Sequence, residues 1–128
     1  MTLKTTVFAV LLTVYGAAHA DGKAIFAKNC AACHQANGKG IPGAFPALAG
    51  SPFVQGAPGQ VAAVLLKGRG GMPDFSPTLS DADIADVLTF VRGAWGNQAG
   101  ALNAQEVAAL REALKVPGFA AGQMSNKH

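Results

Sequence analysis

The chain has two cysteines, and they stand together in Cys30-Ala31-Ala32-Cys33-His34. That pairing narrows what a 128-residue chain can be more than any other feature. Two thiols cannot build a disulfide-rich scaffold. A structural zinc site takes four ligands, and here no second cysteine pair exists and the other histidines are His19 and His128. A thioredoxin-like redox pair shares the Cys-x-x-Cys spacing, but it needs a preceding strand and an α/β pattern that this chain does not show. The adjacent histidine supports a third reading, covalent attachment of a haem with His34 as an iron ligand. Two thiols one helical turn apart add across the two vinyl groups of the ring. The next residue then offers its imidazole nitrogen to the iron from beneath.

The start of the chain agrees with that chemistry. Residues 1–20 read as a cleaved secretory signal peptide. Lys4 supplies the positive end, Val7 to Ala18 is mostly apolar, and Ala18-His19-Ala20 has the small-x-small form of a cleavage site. The apolar stretch is too short and interrupted for a good membrane span. Cleavage after Ala20 leaves a chain that begins at Asp21, soluble and exported to the periplasm. Half of all residues are hydrophobic and 13% are charged, which suits one domain folded around a core. Ten Lys and Arg against seven Asp and Glu, with no basic cluster, argue against nucleic acid as a partner. Gly38-Lys39-Gly40-Ile41-Pro42-Gly43 matches G-x-G-x-x-G, but it lacks the strand before and the helix after that a nucleotide fingerprint requires. It reads instead as a turn beneath the haem on the His34 side.

Periodicity predicts helices and no strands. The first runs from about Gly22 to Ala32, with Ile25, Phe26, Asn29, Cys30 and Cys33 near one face. Gly38 to Gly50 has no period and holds Pro42 and Pro46, so it is a loop. The second helix starts near Pro58, carries Val61, Val64 and Leu65, and ends at Gly68. The third starts after Ser80, with Asp81 and Asp83 in its first turn. Its stripe is Ile84, Val87, Leu88 and Val91, and it ends at Gly96. A further helix spans Asn103 to Lys115, with Asn103 and Glu106 at capping-box positions and Val107, Leu110 and Leu114 as its stripe. It either packs back on the core or docks a partner. Phe119 to His128 reads as a loose tail.

Gly22, Phe26, Cys30, Cys33 and His34 resemble the Gly-x-x-x-Phe-x-x-x-Cys-x-x-Cys-His start of class I, monohaem c-type cytochromes. The resemblance continues through Pro46-Ala47-Leu48-Ala49-Gly50, Gly71-Met72-Pro73-Asp74-Phe75 and Val87-Leu88-Thr89-Phe90-Val91, and covers roughly residues 21–97. It implies an all-α fold of three to four core helices around one covalently bound haem c. Residues 98–128 form a C-terminal extension with the extra helix. In the family, the first and last core helices cross at a glycine, here Gly22 and Phe26 against Val87 and Phe90.

The resemblance also implies a site. Cys30 and Cys33 would hold the haem covalently, with His34 and Met72 as axial ligands. Gly70 and Gly71 before Met72 and Pro73 after it suit a loop that presents a side chain to a ring, rather than a packed stripe. Met1 leaves with the signal, and Met124 and His128 lie in the polar tail. The His34 ring N–H would donate to a proline carbonyl, Pro46, with Pro42 as the rival. Arg69, Gln60 and Lys67 either face a haem propionate or are solvated surface side chains. Ala31, Ala32, Ile41 and Pro73 are candidates for an apolar docking patch, with Lys28, Lys39 and Lys67 to steer an acidic partner weakly. The implied function is a soluble periplasmic electron carrier, monomeric and not an enzyme. Its partners would be redox proteins such as a terminal oxidase or a dehydrogenase or cytochrome bc1-type donor. One alternative is a cytochrome c subunit of an oxidase or dehydrogenase complex. Another is a haem peroxidase or gas-binding protein, which would need an open iron site and distal acid–base groups.

Overall fold

The structure, a computed structural model, describes residues 21–120. The signal-peptide segment, and the part of the tail that holds Met124 and His128, lie outside the described residues. Five helices follow in order: α1 (Gly22–Asn29), α2 (Ala31–His34), α3 (Pro58–Lys67), α4 (Asp81–Gly93) and α5 (Ala104–Ala113). No β-strand occurs among the described residues, only isolated bridges between Ile41 and Phe45 and between Arg69 and Met72. The fold is all-α.

Asp21 starts α1 by accepting from the Lys23 N–H at 3.0 Å. The helix expected to continue to Ala32 breaks instead at Cys30, whose backbone sits at φ −124°, ψ −34°. The Cys30 N–H still bonds to the Phe26 carbonyl at 2.9 Å, and His34 closes the next turn on the Cys30 carbonyl at 3.0 Å. The break therefore re-aims the Cys-x-x-Cys-His turn without leaving its backbone unpaired.

α1 and α4 cross at Gly22. A β-carbon there would lie 2.2 Å from the Asp86 carbonyl oxygen and 3.0 Å from the Phe90 β-carbon, so only glycine lets the helices meet. Phe26, one turn on, stacks against Phe90 with centroids 5.7 Å apart. Trp95 completes a three-ring cluster that periodicity alone did not single out. Its centroid is 5.1 Å from that of Phe26 and 5.6 Å from that of Phe90, both edge-on. The indole N–H donates to the Ala36 carbonyl at 3.1 Å. Trp95 reaches this place because α4 stops at Gly93 rather than Gly96. Ala94 is extended and Trp95 itself takes φ +52°.

α3 begins with Pro58 at its first turn and buries Val61, Ala62, Leu65 and Leu66. Val64, expected in that stripe, is half-buried. α4 has the Ser80–Asp83 capping box, with reciprocal bonds of 3.1 Å, and is the hub of the core. Ile84, Ala85, Val87, Leu88 and Val91 are all buried on it.

α5 carries the Asn103–Glu106 capping box and packs on α3 and α4. Val107 is fully enclosed, and Leu110 and Leu114 pack against the same core. The helix thus lies with its apolar stripe on the core, the first of the two arrangements open from sequence. Thr89 ties the segment before it to α4, giving to and taking from Leu102. Beyond α5, the Ala120 N–H bonds to the Pro77 carbonyl at 3.1 Å, so the tail expected to be loose from Phe119 is pinned through Ala120.

Two buried polar side chains hold the loops to α4. Arg92 donates through Nε to the Gly100 carbonyl at 2.8 Å and through Nη1 to those of Val54 and Gly56 at 2.7 and 2.9 Å. Asn97 accepts from the Gly50 N–H at 2.8 Å and donates to the Leu48 and Val91 carbonyls at 3.1 and 2.9 Å. Irregular backbone next to a core needs such partners, because unpaired buried groups are costly.

Gly22→Ala should destabilise the protein by about 2–3 kcal/mol in denaturant unfolding, since the added carbon meets backbone that cannot yield. Gly59→Ala, in the first turn of α3 with nothing near its β-position, should be neutral or stabilise by about 0.5 kcal/mol. Asn97→Ala should cost about 2–4 kcal/mol in the same measurement, because it strips three bonds from the loop and the end of α4.

Candidate functional site

Cys30 sits at the break between α1 and α2, and Cys33 and His34 follow within one turn on α2. Cys30 is half-buried and Cys33 exposed. Burial, with a smaller effect of Cys33, pushes the Cys30 thiol up to about 11. A disulfide-exchange pair needs a thiolate favoured near neutral pH, so this environment is the reverse of a thioredoxin-like one. Among the described residues no group of three or more His, Cys, Asp and Glu side chains converges in the manner of a metal cage.

His34 is buried at 8% exposure. Its Nδ1–H donates to the Pro46 carbonyl at 2.9 Å, and not to that of Pro42. The loop reaches this position by folding back at Gly40, whose φ is +62°. A β-carbon at Gly40 would lie 2.3 Å from the Phe45 carbonyl oxygen and 2.6 Å from that of Pro46. The Gly40 N–H also bonds to the His34 carbonyl at 2.9 Å. The G-x-G-x-x-G run therefore returns the chain to His34. No strand precedes it and no helix opens from it, the two features a nucleotide loop would need. Because Nδ1 carries the proton and gives it to a carbonyl, Nε2 keeps its lone pair for a metal.

Met72 lies in the turn between α3 and α4. The backbones of Arg69 and Met72 pair in both directions, at 3.1 and 3.0 Å, around Gly70 and Gly71. The Phe75 N–H then bonds to the Leu65 carbonyl at 2.7 Å, which ties the turn to α3. Met72 is half-buried and packs against the core cluster that Cys30, Ala31, Leu48 and Phe75 also flank.

The chain also exposes large apolar side chains. Ile41, Phe45 and Phe53, all on the loop between α2 and α3, are 42%, 39% and 41% exposed. A thiol pair, an imidazole with one nitrogen already engaged and a thioether are a donor set whose chemistry fits a flat apolar ring with a metal at its centre. Gln60, Lys67 and Arg69 are exposed, and the Arg69 guanidinium stacks over the Phe53 ring at 5.3 Å. Of the docking candidates, Ala32, Ile41 and Pro73 are exposed and Ala31 is half-buried; Lys28 and Lys39 are exposed too.

Sequence reasoning passed over Trp95, Asn97, Arg92 and Arg111. Each acts through loop backbone distant in sequence, so no local period or spacing marks it. For the arginines the one available signal was their place on the apolar side of an amphipathic helix.

The chain is similar in sequence to known proteins of one family. The family model described as cytochrome c oxidase, cbb3-type, subunit III matches residues 17–91. Cytochrome c-552 of Thermus thermophilus is 39% identical over 112 residues, covering 74% of each chain. Cytochrome c6 of a Picosynechococcus species is 34% identical over 103 residues, 71% of this chain and 86% of that one. The gluconate 2-dehydrogenase cytochrome c subunit of Pantoea cypripedii is 33% identical over 105 residues, which is 71% of this chain and 24% of that subunit. A family match across the motif and all three core helices, on an all-α fold, makes the chain a member of the class I c-type cytochromes, electron carriers with one covalently bound haem c.

Proposed function

We propose that the chain is exported, cleaved after Ala20, and serves in the periplasm as a soluble shuttle for single electrons. Its haem is joined to Cys30 and Cys33 and ligated by His34 and Met72. The observation that carries this reading is the 2.9 Å bond from His34 Nδ1 to the Pro46 carbonyl. A histidine held at Nδ1 by a fixed carbonyl is aimed and tautomerically set to give Nε2 to iron. The haem supplies the redox chemistry, and the chain's residues set the conditions under which it occurs. Methionine sulfur is a weak donor that favours reduced iron, so Met72 raises the potential relative to a second histidine. The Arg69–Met72 pairing and the Phe75–Leu65 bond hold the backbone that carries Met72, which favours a small reorganisation. Lys4 and the apolar run that ends at Ala18-His19-Ala20 support export. The partners are redox proteins, a terminal oxidase on one side and a dehydrogenase or cytochrome bc1-type donor on the other.

The likeness to dehydrogenase cytochrome c subunits favours a second reading, a cytochrome held in such a complex. Size-exclusion chromatography of a native extract separates the two. A free carrier elutes at the size of one chain, and a subunit elutes with its complex.

Acidified organic solvent should leave the haem on the protein, and mass spectrometry should find a chain starting at Asp21 plus one haem. Free extraction would contradict attachment at Cys30 and Cys33. Oxidised protein should show the weak far-red band of methionine-bound ferric haem, and reduced protein should bind carbon monoxide poorly. Met72→Ala should abolish the band, lower the potential and admit carbon monoxide, with the haem still attached. Met124→Ala should change none of these. A band lost in Met124→Ala and kept in Met72→Ala would reverse the ligand assignment.

A further inference from the structure

Arg111, on α5, is 7% exposed. Its Nε donates to Asp81 Oδ1 at 2.7 Å, Nη1 to the carbonyls of Ser76 and Pro117 at 2.6 and 2.8 Å, and Nη2 to the Leu79 carbonyl at 3.1 Å. Three of these four acceptors belong to residues 76–81, which begin four positions after Met72. The Ala120 N–H adds a bond to the Pro77 carbonyl between them.

The backbone of that segment explains the pattern. Thr78 and Leu79 turn their N–H groups inward to the Phe75 carbonyl, at 3.1 and 2.9 Å. The carbonyls of Ser76, Pro77 and Leu79 take their partners from residues 111–120. Met72 therefore stands on a loop with two anchors. One is α3, through the Phe75–Leu65 bond, and the other is α5, through Arg111. The guanidinium is a rigid fork that grips several carbonyls at once, which an ammonium does not match. A buried charge bound this fully is costly to disturb.

We propose that Arg111 is a positioning residue for Met72. It braces the loop at Ser76 and Leu79, so that the thioether stays on the iron and competing ligands are kept out. This rests on the reading of Met72 as axial ligand. Arg111 makes no hydrogen bond to Met72 and acts through the backbone of residues 76–81.

The test uses holoprotein and a matched control. Arg92 is also buried, and its three bonds go to Val54, Gly56 and Gly100, none of them in the Met72 loop. Arg111→Lys should bind carbon monoxide in the reduced state about tenfold faster than wild type, the effect of losing one charge-assisted bond from the closed loop. Its far-red band should fade on mild warming while circular dichroism still reports a folded chain. Arg92→Lys should lower the thermal midpoint and leave carbon monoxide binding and the band unchanged. Should Arg111→Lys not mature, Asp81→Asn keeps an acceptor for Nε, removes the opposing charge, and should shift both readouts in the same direction more weakly. Unchanged carbon monoxide kinetics in the Arg111 variant, or equal acceleration in the Arg92 variant, would overturn the proposal. Failure of the ligand reading looks different: wild type itself would lack the band or bind carbon monoxide readily.

Discussion

Where Gly22 meets the Asp86 carbonyl, two helices come closer than any β-carbon permits, and the later elements are arranged around that crossing. It brings Phe26 onto Phe90 and leaves an edge for Trp95 to close. Trp95 in turn holds Ala36, at the exit of the Cys-x-x-Cys-His turn, through its indole N–H. The same contact that packs the core thus sets where the attachment turn leaves α2. α4 serves both purposes, with apolar residues toward α1 and α3, and Arg92 in its last turn for the loops.

Much of the surface around the site is loop, and loop backbone beside a core must find hydrogen-bond partners. Three side chains supply many of them. Asn97 holds residues 48–50, Arg92 holds 54–56 and 100, and Arg111 holds 76–79 and 117. The ion pair of Arg111 with Asp81 is enclosed on the arginine side, with Asp81 half-buried, and it joins a network of carbonyls, so it differs from a fully exposed pair. This division explains how a small helical chain can carry long irregular segments without losing definition. It also gives α5 a part in the architecture of the haem domain, since its arginine reaches the loop that bears Met72.

For an electron carrier, such bracing has a direct use. The chemistry of a c-type cytochrome belongs to its haem, and the chain contributes a fixed, mostly apolar setting. The Pro46 carbonyl fixes the His34 ring, and bonds to α3 and α5 fix the backbone that follows Met72, two held points in that setting.

Helix identity and the family were legible in the sequence, because each rests on short-range chemistry. Cys30, Cys33 and His34 are adjacent along the chain, a capping box spans four residues, and an amphipathic stripe repeats every turn. Pro46 as partner of His34 came from family resemblance, and the structure adds the reason, a fold-back at Gly40 that only glycine accommodates. The break at Cys30, the early end of α4 at Gly93 and the inward seats of Trp95, Asn97, Arg92 and Arg111 were not legible. Local propensity would have run the first helix through Cys30 and α4 on to Gly96, and would have set the arginines and the asparagine in water. What decided otherwise was packing between distant segments: the Phe26–Phe90–Trp95 cluster draws Trp95 inward, and carbonyls stranded on three loops need donors that only tertiary contact can deliver.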